Sequence, residues 1–257
     1  RRLSSAASDV YKRQLDNNIS GDYNNAIGTG SLNANTTGNN NVALGRDALS
    51  QNTTASNNTS VGFESLKANT TGHSNTSVGS YSCASNIDGL YLTAVGYQAL
   101  NANTTGDNNT GIGRRALLSN TTASDNTAVG ALALDQNTTG GNNTAVGKSS
   151  LAANTTGGDS TALGEQALEV NTTGSGNTAI GRDALGANTT GGENVCVGNH
   201  AGKLITTGSR NTAVGSQAMY SGGGTAHDNV AIGRMALKVV TSCLLYTSPS
   251  PRDKSSS

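Results

Sequence analysis

Large side chains and net charge are both scarce in this sequence. The 257 residues include no tryptophan, one phenylalanine and seven tyrosines, and aromatic residues make up 3% of the chain. A chain with so few large apolar groups usually cannot offset the entropy that it loses on folding, so this composition is typical of disorder. Disordered chains usually also carry a high net charge, however, and here 16 Lys and Arg balance 16 Asp and Glu. Composition alone therefore does not decide between a disordered and a folded chain.

The balanced charge excludes some classes of partner. Only 12% of the residues are charged and the formal net charge is zero, so no basic excess favours nucleic acid or an anionic membrane. No apolar run approaches the roughly 20 residues of a membrane-spanning helix. We therefore expect no nucleic-acid partner and no membrane contact from this chain.

Both ends of the sequence look foreign to the rest. Residues 4–14, SSAASDVYKRQ, can be back-translated into a transposase-based sequencing adapter. The reverse complement of codons for DVYKRQ, read one base out of frame, encodes CLLYTS, which stands at 243–248. We therefore expect residues 1–14 and 243–257 to be adapter-derived, and residues 15–242 to be a repeat region that is incomplete at both ends. Cys83 and Cys196 lie far apart in sequence and indicate no redox compartment.

What the sequence does contain is one period. A glycine that follows a short aliphatic run recurs at every seventeenth position, and only the last interval is longer, by a single residue that the segment from Gly222 to Gly224 absorbs. An aliphatic residue always precedes this glycine, a column of mostly Leu follows four residues after it, and Ala or Ser stands between them. The consensus copy is NTAVGxxALxxNTTGxx. The glycines are Gly28, Gly45, Gly62, Gly79, Gly96, Gly113, Gly130, Gly147, Gly164, Gly181, Gly198, Gly215 and Gly233.

This period predicts an all-β fold. Seventeen residues hold two strands of about five residues and two turns, whereas a helical hairpin repeat needs about 33 or more, and Gly, Asn and Thr oppose helix. We predict a parallel β-solenoid (a β-roll) of about 13 coils, with strands at N-T-A-V-G and A-L-x-x-N. Identical residues then stack about 4.8 Å apart, and stacked asparagines form amide ladders.

The predicted core is thin. One buried Val and one buried Leu per coil contribute about 1.5–3 kcal/mol each, while fixing each backbone residue costs on the order of 1–2 kcal/mol. Neighbouring coils must supply the remaining contacts, as in other solenoids. The shortage also favours the assembly of several chains.

The repeat resembles known fibre repeats. NTSVGFESL at 58–66 and NTAIGRDAL at 177–185 resemble the head repeats of trimeric autotransporter adhesins. The unit NTAVGxxAL…NTTG is also similar to repeats of phage tail-fibre proteins that carry an endosialidase-type chaperone domain. The likeness extends over residues 19–242. It implies a left-handed roll, a homotrimer, and a non-enzymatic structural or adhesive role in a virion tail fibre or on a bacterial cell surface.

Several motifs that look like chemical sites are explained by the repeat. GIGRRA at 111–116 has the form of a dinucleotide-binding turn, but Gly111 stands in a column of Ala and the required helix and acidic residue are not indicated. His73, His200 and His227 occupy different repeat positions and form no ligand column. The turn acids are too sparse for a calcium-binding roll. We expect no catalytic residue, no cofactor and no bound metal.

The two positions after each invariant glycine vary most along the chain. They are predicted to lie in a solvent-facing turn, where exposed aromatics and arginines favour binding, although turn positions also tolerate unselected change. The expected partner is a glycan or protein of a host surface. The candidate stripe consists of Arg46, Phe63, Tyr81, Tyr97, Arg114 and Arg182.

One alternative function stays open, an ice-binding solenoid that uses stacked threonines. The Thr pairs 36–37, 104–105 and 189–190 form columns along one edge. Adjacent residues of a strand point to opposite faces, and these pairs lie beside glycine in a predicted turn. A flat ice-matching face is therefore not expected from them.

Overall fold

The chain forms a rod of short parallel strands. A computed structural model describes residues 14–222 and 224–240, and in this part the chain consists of strands and turns without a helix. The adapter segments predicted at 1–14 and 243–257 lie outside it, apart from Gln14. The strands are β1 (Asn25–Ile27), β2 (Val42–Leu44), β3 (Thr59–Val61), β4 (Thr76–Val78), β5 (Thr93–Val95), β6 (Thr110–Ile112), β7 (Thr127–Val129), β8 (Thr144–Val146), β9 (Thr161–Leu163), β10 (Thr178–Ile180), β11 (Val195–Val197), β12 (Thr212–Val214), β13 (Ser221–Gly222), β14 (Val230–Ile232) and β15 (Val239–Val240).

One 13-stranded parallel sheet runs the length of the rod. Strands β1 to β12 and then β14 pair in chain order, and β13 pairs with β15 in a separate two-stranded sheet. Equivalent residues are register partners, so that Val129 lies opposite Val146, and only the step from β12 to β14 is one residue longer than the others. These pairings confirm the predicted β-solenoid with one copy per coil.

The prediction of a second strand in each coil was wrong. The A-L-x-x-N segment forms consecutive turns, because its Leu adopts a left-handed backbone, with φ of 54° at Leu117. The amide of Asn120 then bonds back to the carbonyl of Leu117 at 3.3 Å. Coils still connect here, since the Leu117 amide donates to the Ala133 carbonyl at 3.0 Å. The A-L-x-x-N segments of neighbouring coils are thus hydrogen-bonded to one another although their backbone is not extended.

The core differs from the predicted one. In strand β7, the middle residue Ala128 is buried, while Thr127 and Val129 are only half-buried. In a three-residue strand the first and third side chains share one face, so the aliphatic residue before each glycine points outward with the Thr. Leu134 faces the interior and is fully buried. Small residues and, in most coils, one Leu therefore fill the core, and the expectation of a buried Val was wrong.

Asparagine amides form the predicted ladder. The Nδ2 of Asn120 donates to the Oδ1 of Asn103 at 2.9 Å, and the Oδ1 of Asn120 accepts from Asn137 at 2.9 Å. Each amide also donates to a carbonyl three residues later in its own coil. The ladder runs from Asn18 to Asn188, whose Oδ1 is left without a hydrogen bond because Ile205 takes the next position.

Candidate functional site

The rod has an outer sheet face, defined here as the first and third residues of the 13 strands of the long sheet. All the third residues are aliphatic, and nine of the first residues are Thr. Ile112 is 39% exposed and Leu163 is 44% exposed, although both lie in regular strands. The outer sheet face is therefore an exposed aliphatic column beside a column of mostly hydroxyl side chains.

Charge is excluded from this face. Two outward positions in each of 13 strands make 26 positions, and none of them carries a charged residue. The two turn positions after the glycine in the same coils also number 26, and ten of them are charged. Both sets lie on the surface, so solvent exposure alone does not explain the difference. Strands favour Thr, Val and Ile over Asp, Glu and Lys, which accounts for part of the difference.

The structure brings four of the predicted stripe residues together. The rings of Phe63 and Tyr81 meet edge to face with centroids 5.1 Å apart, and those of Tyr81 and Tyr97 do so at 6.2 Å. The guanidinium carbon of Arg46 lies 5.3 Å from the centroid of Phe63. We call Arg46, Phe63, Tyr81 and Tyr97 the aromatic ridge. Its four residues come from four consecutive coils.

The two remaining stripe residues differ from the ridge and from each other. Arg114 is exposed on the coil that follows Tyr97, and within residues 14–222 and 224–240 it forms no ion pair. Its neighbour Arg115 is held by Asp135 through two hydrogen bonds of 3.0 Å. Arg182 lies four coils beyond Arg114, so the structure does not join it to the ridge.

Arg182 belongs to a self-paired polar cluster. Its Nη2 lies 3.0 Å from Nε2 of His200, whose Nδ1 is 3.2 Å from a carboxylate oxygen of Asp183. Lys203 approaches the other oxygen of Asp183 at 3.5 Å. Burial holds the pKa of His200 below its usual value. The positive charge of Lys203 also lowers this pKa, and the negative charge of Asp183 raises it. The charged groups of this cluster are paired with one another, while the Nδ1 of His200 lies near Asp183 without forming a hydrogen bond.

The threonine pairs behind the ice-binding alternative do not form a flat face. The first hydroxyl of each pair is used inside the rod: Thr36 donates to the Thr53 carbonyl at 2.9 Å, and Thr104 to the Thr121 carbonyl at 3.0 Å. The second Thr of each pair is exposed in the turn. A regular column of threonines lies instead on the outer sheet face, where Thr occurs in eight consecutive strands from β3 to β10.

Sequence reasoning missed the outer sheet face, although the signal for it was available. In N-T-A-V-G the alternation large–small–large around Ala marks a strand with its small residue inside. Apolar side chains are usually buried, which favours a core position for the aliphatic residue, but the interior of the coil is already filled by the Ala and Leu columns.

In comparisons with family models, curated proteins and solved structures, no match to this chain was found. Across residues 14–222 and 224–240, His, Cys, Asp and Glu side chains form no group of three that could hold a metal ion. The same residues include no helix with the length and hydropathy of a membrane span. The function proposed below therefore rests on the geometry of the rod.

Proposed function

We propose that this protein is the repeat region of a homotrimeric fibre, either a phage tail fibre or a bacterial surface adhesin, and that it presents a rod-like surface to a host or another cell. The observation that carries the proposal is the charge-free outer sheet face. Like residues repeat along it at about 4.8 Å, so copies of the chain lying side by side offer one another matching rows. The role is structural and adhesive, and it needs no catalytic residue.

The size of the outer sheet face supports association. Twelve steps of about 4.8 Å give a length of roughly 58 Å, and two outward columns are about 10 Å wide with their side chains. The resulting area, on the order of 600 Å², is of the same order as the roughly 800 Å² that each partner buries in a specific interface. The face is also the part of the rod where burial of apolar atoms offsets the thin core.

Analytical ultracentrifugation of the protein tests the assembly. We expect a trimer, and we expect the double substitution Val95→Lys with Ile112→Lys to give folded monomers, because both side chains lie outside the core. Ala131→Lys is the matched control, since the same turn position carries Lys148 one coil later. A wild-type protein that sediments as a compact monomer would overturn the proposal.

Sequencing the adjoining DNA distinguishes a tail fibre from a surface adhesin. A chaperone domain indicates a tail fibre, and a coiled-coil stalk with a membrane barrel indicates an adhesin.

A second candidate is an ice-binding solenoid, favoured by the eight consecutive outward threonines of β3 to β10. Recognition of a crystalline surface requires an array of groups with constant spacing, and the constant register step of these strands provides one. This function needs the outer sheet face to be open to solvent, whereas the trimer covers it. Thermal hysteresis measured on a monomeric protein would favour ice binding, and its absence from a trimer would remove this candidate.

A further inference from the structure

The aromatic ridge is not required by the fold. The turn after each glycine keeps one backbone conformation whatever its side chains are: φ is 60° at Tyr81, 60° at Arg115 and 60° at Gln166. The core beneath Phe63 and Tyr81 contains Cys83 in place of a Leu and the buried, hydrogen-bonded serines Ser60, Ser65, Ser77 and Ser82, so it offers the rings less apolar surface to cover than the Ala and Leu core elsewhere in the rod. Coils with polar residues at these positions stack in the same register. Coils therefore stack without aromatic side chains at these positions, and the three aromatic residues of the ridge are not needed for stacking.

The ridge has a defined length and ends. From Arg46 to Arg114 the stripe crosses four coil steps, or roughly 19 Å, with Phe63, Tyr81 and Tyr97 between the two arginines. Tyr97 is 48% exposed, and Phe63 and Tyr81 are half-buried against their ring neighbours. The aromatic groups thus form a narrow, continuous and preorganised surface.

The charges around the ridge leave one arginine open. Arg46 contacts Asp47 at 3.1 Å, and Lys67 contacts Glu64 at 3.2 Å, so both acids next to the ridge are paired. Arg114 has no such partner in the described part of the chain. The ridge therefore offers apolar ring surface along its length and an unpaired guanidinium at the Arg114 end, a group that binds carboxylates in a bidentate manner.

We propose that the aromatic ridge together with Arg114 binds a linear oligosaccharide that carries carboxylate groups. This rests on the proposed surface-binding role and names its ligand class. Sugar rings combine apolar C–H faces with polar edges, which suits aromatic side chains that have an apolar body and, in tyrosine, a polar tip. Arg114 then pairs with a carboxylate of the bound chain.

The dimensions and charges of the ridge argue against the other classes of ligand. A strip of roughly 19 by 10 Å presents on the order of 200 Å², well below the roughly 800 Å² per partner of a specific protein interface. A single-stranded nucleic acid needs a groove of basic residues along its whole backbone, whereas the ridge leaves an unpaired guanidinium at one end, that of Arg114. A linear glycan matches both the narrow shape and the single open charge.

Binding to a microarray of linear oligosaccharides, followed by calorimetry, tests the proposal. The array carries uronic acid oligomers, neutral glucose oligomers and single-stranded oligonucleotides, and the calorimetric probes are hexamers of mannuronic acid and of glucose. We expect saturable binding of uronic acid oligomers by the wild type. Tyr97→Ser should weaken it at least about tenfold through the lost ring contact, and Arg114→Gln should abolish the preference for the acidic over the neutral hexamer.

Tyr91→Ser is the matched control, because Tyr91 is an exposed tyrosine, also in an edge-to-face pair, with its partner His73 outside the ridge. Its binding should equal that of the wild type. No binding to any uronic acid oligomer, equal binding by Tyr97→Ser, or a preference for oligonucleotides would each overturn the glycan assignment. Sedimentation of Tyr97→Ser should be unchanged, so a failed glycan test and a failed trimer test are distinguishable.

Discussion

At the scale of the single residue, the invariant glycine is needed for two reasons. At Gly130 φ is +138°, a backbone conformation that L side chains rarely adopt, and a Cβ would lie 2.5 Å from the carbonyl oxygen of Gly147 and 2.7 Å from its carbon. The obstructing atoms are backbone atoms of the next coil, which cannot move without breaking the stack. Glycine is therefore required both by conformation and by close approach.

Gly130→Ala should lower the free energy of unfolding by about 2–5 kcal/mol, the sum of backbone strain and overpacking. Urea denaturation followed by circular dichroism measures the change. Gly186→Ala is the control, since Gly186 does not have a positive φ and other coils carry Lys67 or Leu118 at its position. Equal effects of the two substitutions would contradict the role assigned to the glycine column.

The asparagine ladder gives a second prediction at this scale. Asn120→Ala removes donors to Asn103 Oδ1 and the Ala123 carbonyl, and it removes the acceptor used by Asn137. Each buried group left unpaired costs about 1–3 kcal/mol, so we expect a loss of at least about 2 kcal/mol in the same urea experiment.

The adjacent substitution Ser119→Ala serves as the control, because Ala102 and Ala153 occupy that position in other coils. It should change stability by less than about 0.5 kcal/mol. A loss as large as that of Asn120→Ala would show that any change in this segment is harmful, whether or not the ladder is broken.

At the scale of the element, the sequence predicted stacking well and orientation poorly. The constant repeat length was sufficient to place Val129 over Val146 and Asn120 over Asn103, because stacking requires only that copies be equal in length. Whether the side chains at one repeat position face the interior or the solvent depends on the width of the coil. The repeat length does not determine that width. Leu117 shows the limit of predicting backbone conformation from residue propensity. Its φ of 54° is a left-handed conformation that Leu disfavours, and its complete burial compensates for the strain.

The arrangement of the candidate stripe was likewise predicted only in part. Its turn location followed from the variable positions after the glycine, and Phe63, Tyr81 and Tyr97 do meet there. That Arg182 stands apart follows from simple coil counting, but its pairing with His200 depends on side-chain geometry that the sequence does not contain.

The eleventh coil shows how one element absorbs linked substitutions. Gly202 stands in the Leu column, and a Cβ there would meet the Cys196 Sγ at 2.5 Å and side-chain carbons of Ile205 and Leu185 at 3.2 Å. Ile205, in the Asn ladder position, is fully buried and fills the space that a Leu at position 202 would take. The three departures from the consensus, at 196, 202 and 205, thus compensate for one another.

We therefore expect Gly202→Leu alone to destabilise the protein by about 1–3 kcal/mol or more through overpacking. The triple substitution Cys196→Ala, Gly202→Leu and Ile205→Asn should restore the consensus and give the orphaned Asn188 Oδ1 a donor. Its thermal midpoint should equal or exceed that of the wild type. A triple variant as unstable as Gly202→Leu would mean that the three positions do not compensate.

At the scale of the whole molecule, the rod is a one-dimensional stack in which each coil contacts mainly its two neighbours. The strand contacts follow chain order along the long sheet. Stability in such a stack is close to a sum over coils and their interfaces, so a whole coil can be added or removed without disturbing the others. The step between β12 and β14 is one residue longer than the others, and these two strands still pair in parallel.

Deleting one whole repeat should therefore differ from deleting one repeat and a further residue. Removing residues 130–146 joins Val129 to Gly147 and leaves every remaining coil intact, so the rod should shorten by about 4.8 Å and keep its β-sheet circular dichroism. Removing residues 129–146 joins Ala128 to Gly147 instead, which leaves one coil too short to carry Leu151 and Asn154 into their columns. We expect this second variant to unfold at a clearly lower temperature than the first. Small-angle X-ray scattering measures the maximum dimension of each rod, and thermal denaturation followed by circular dichroism measures its stability. Since the two proteins differ by a single residue, equal stability of the two would show that register between coils does not hold the rod together.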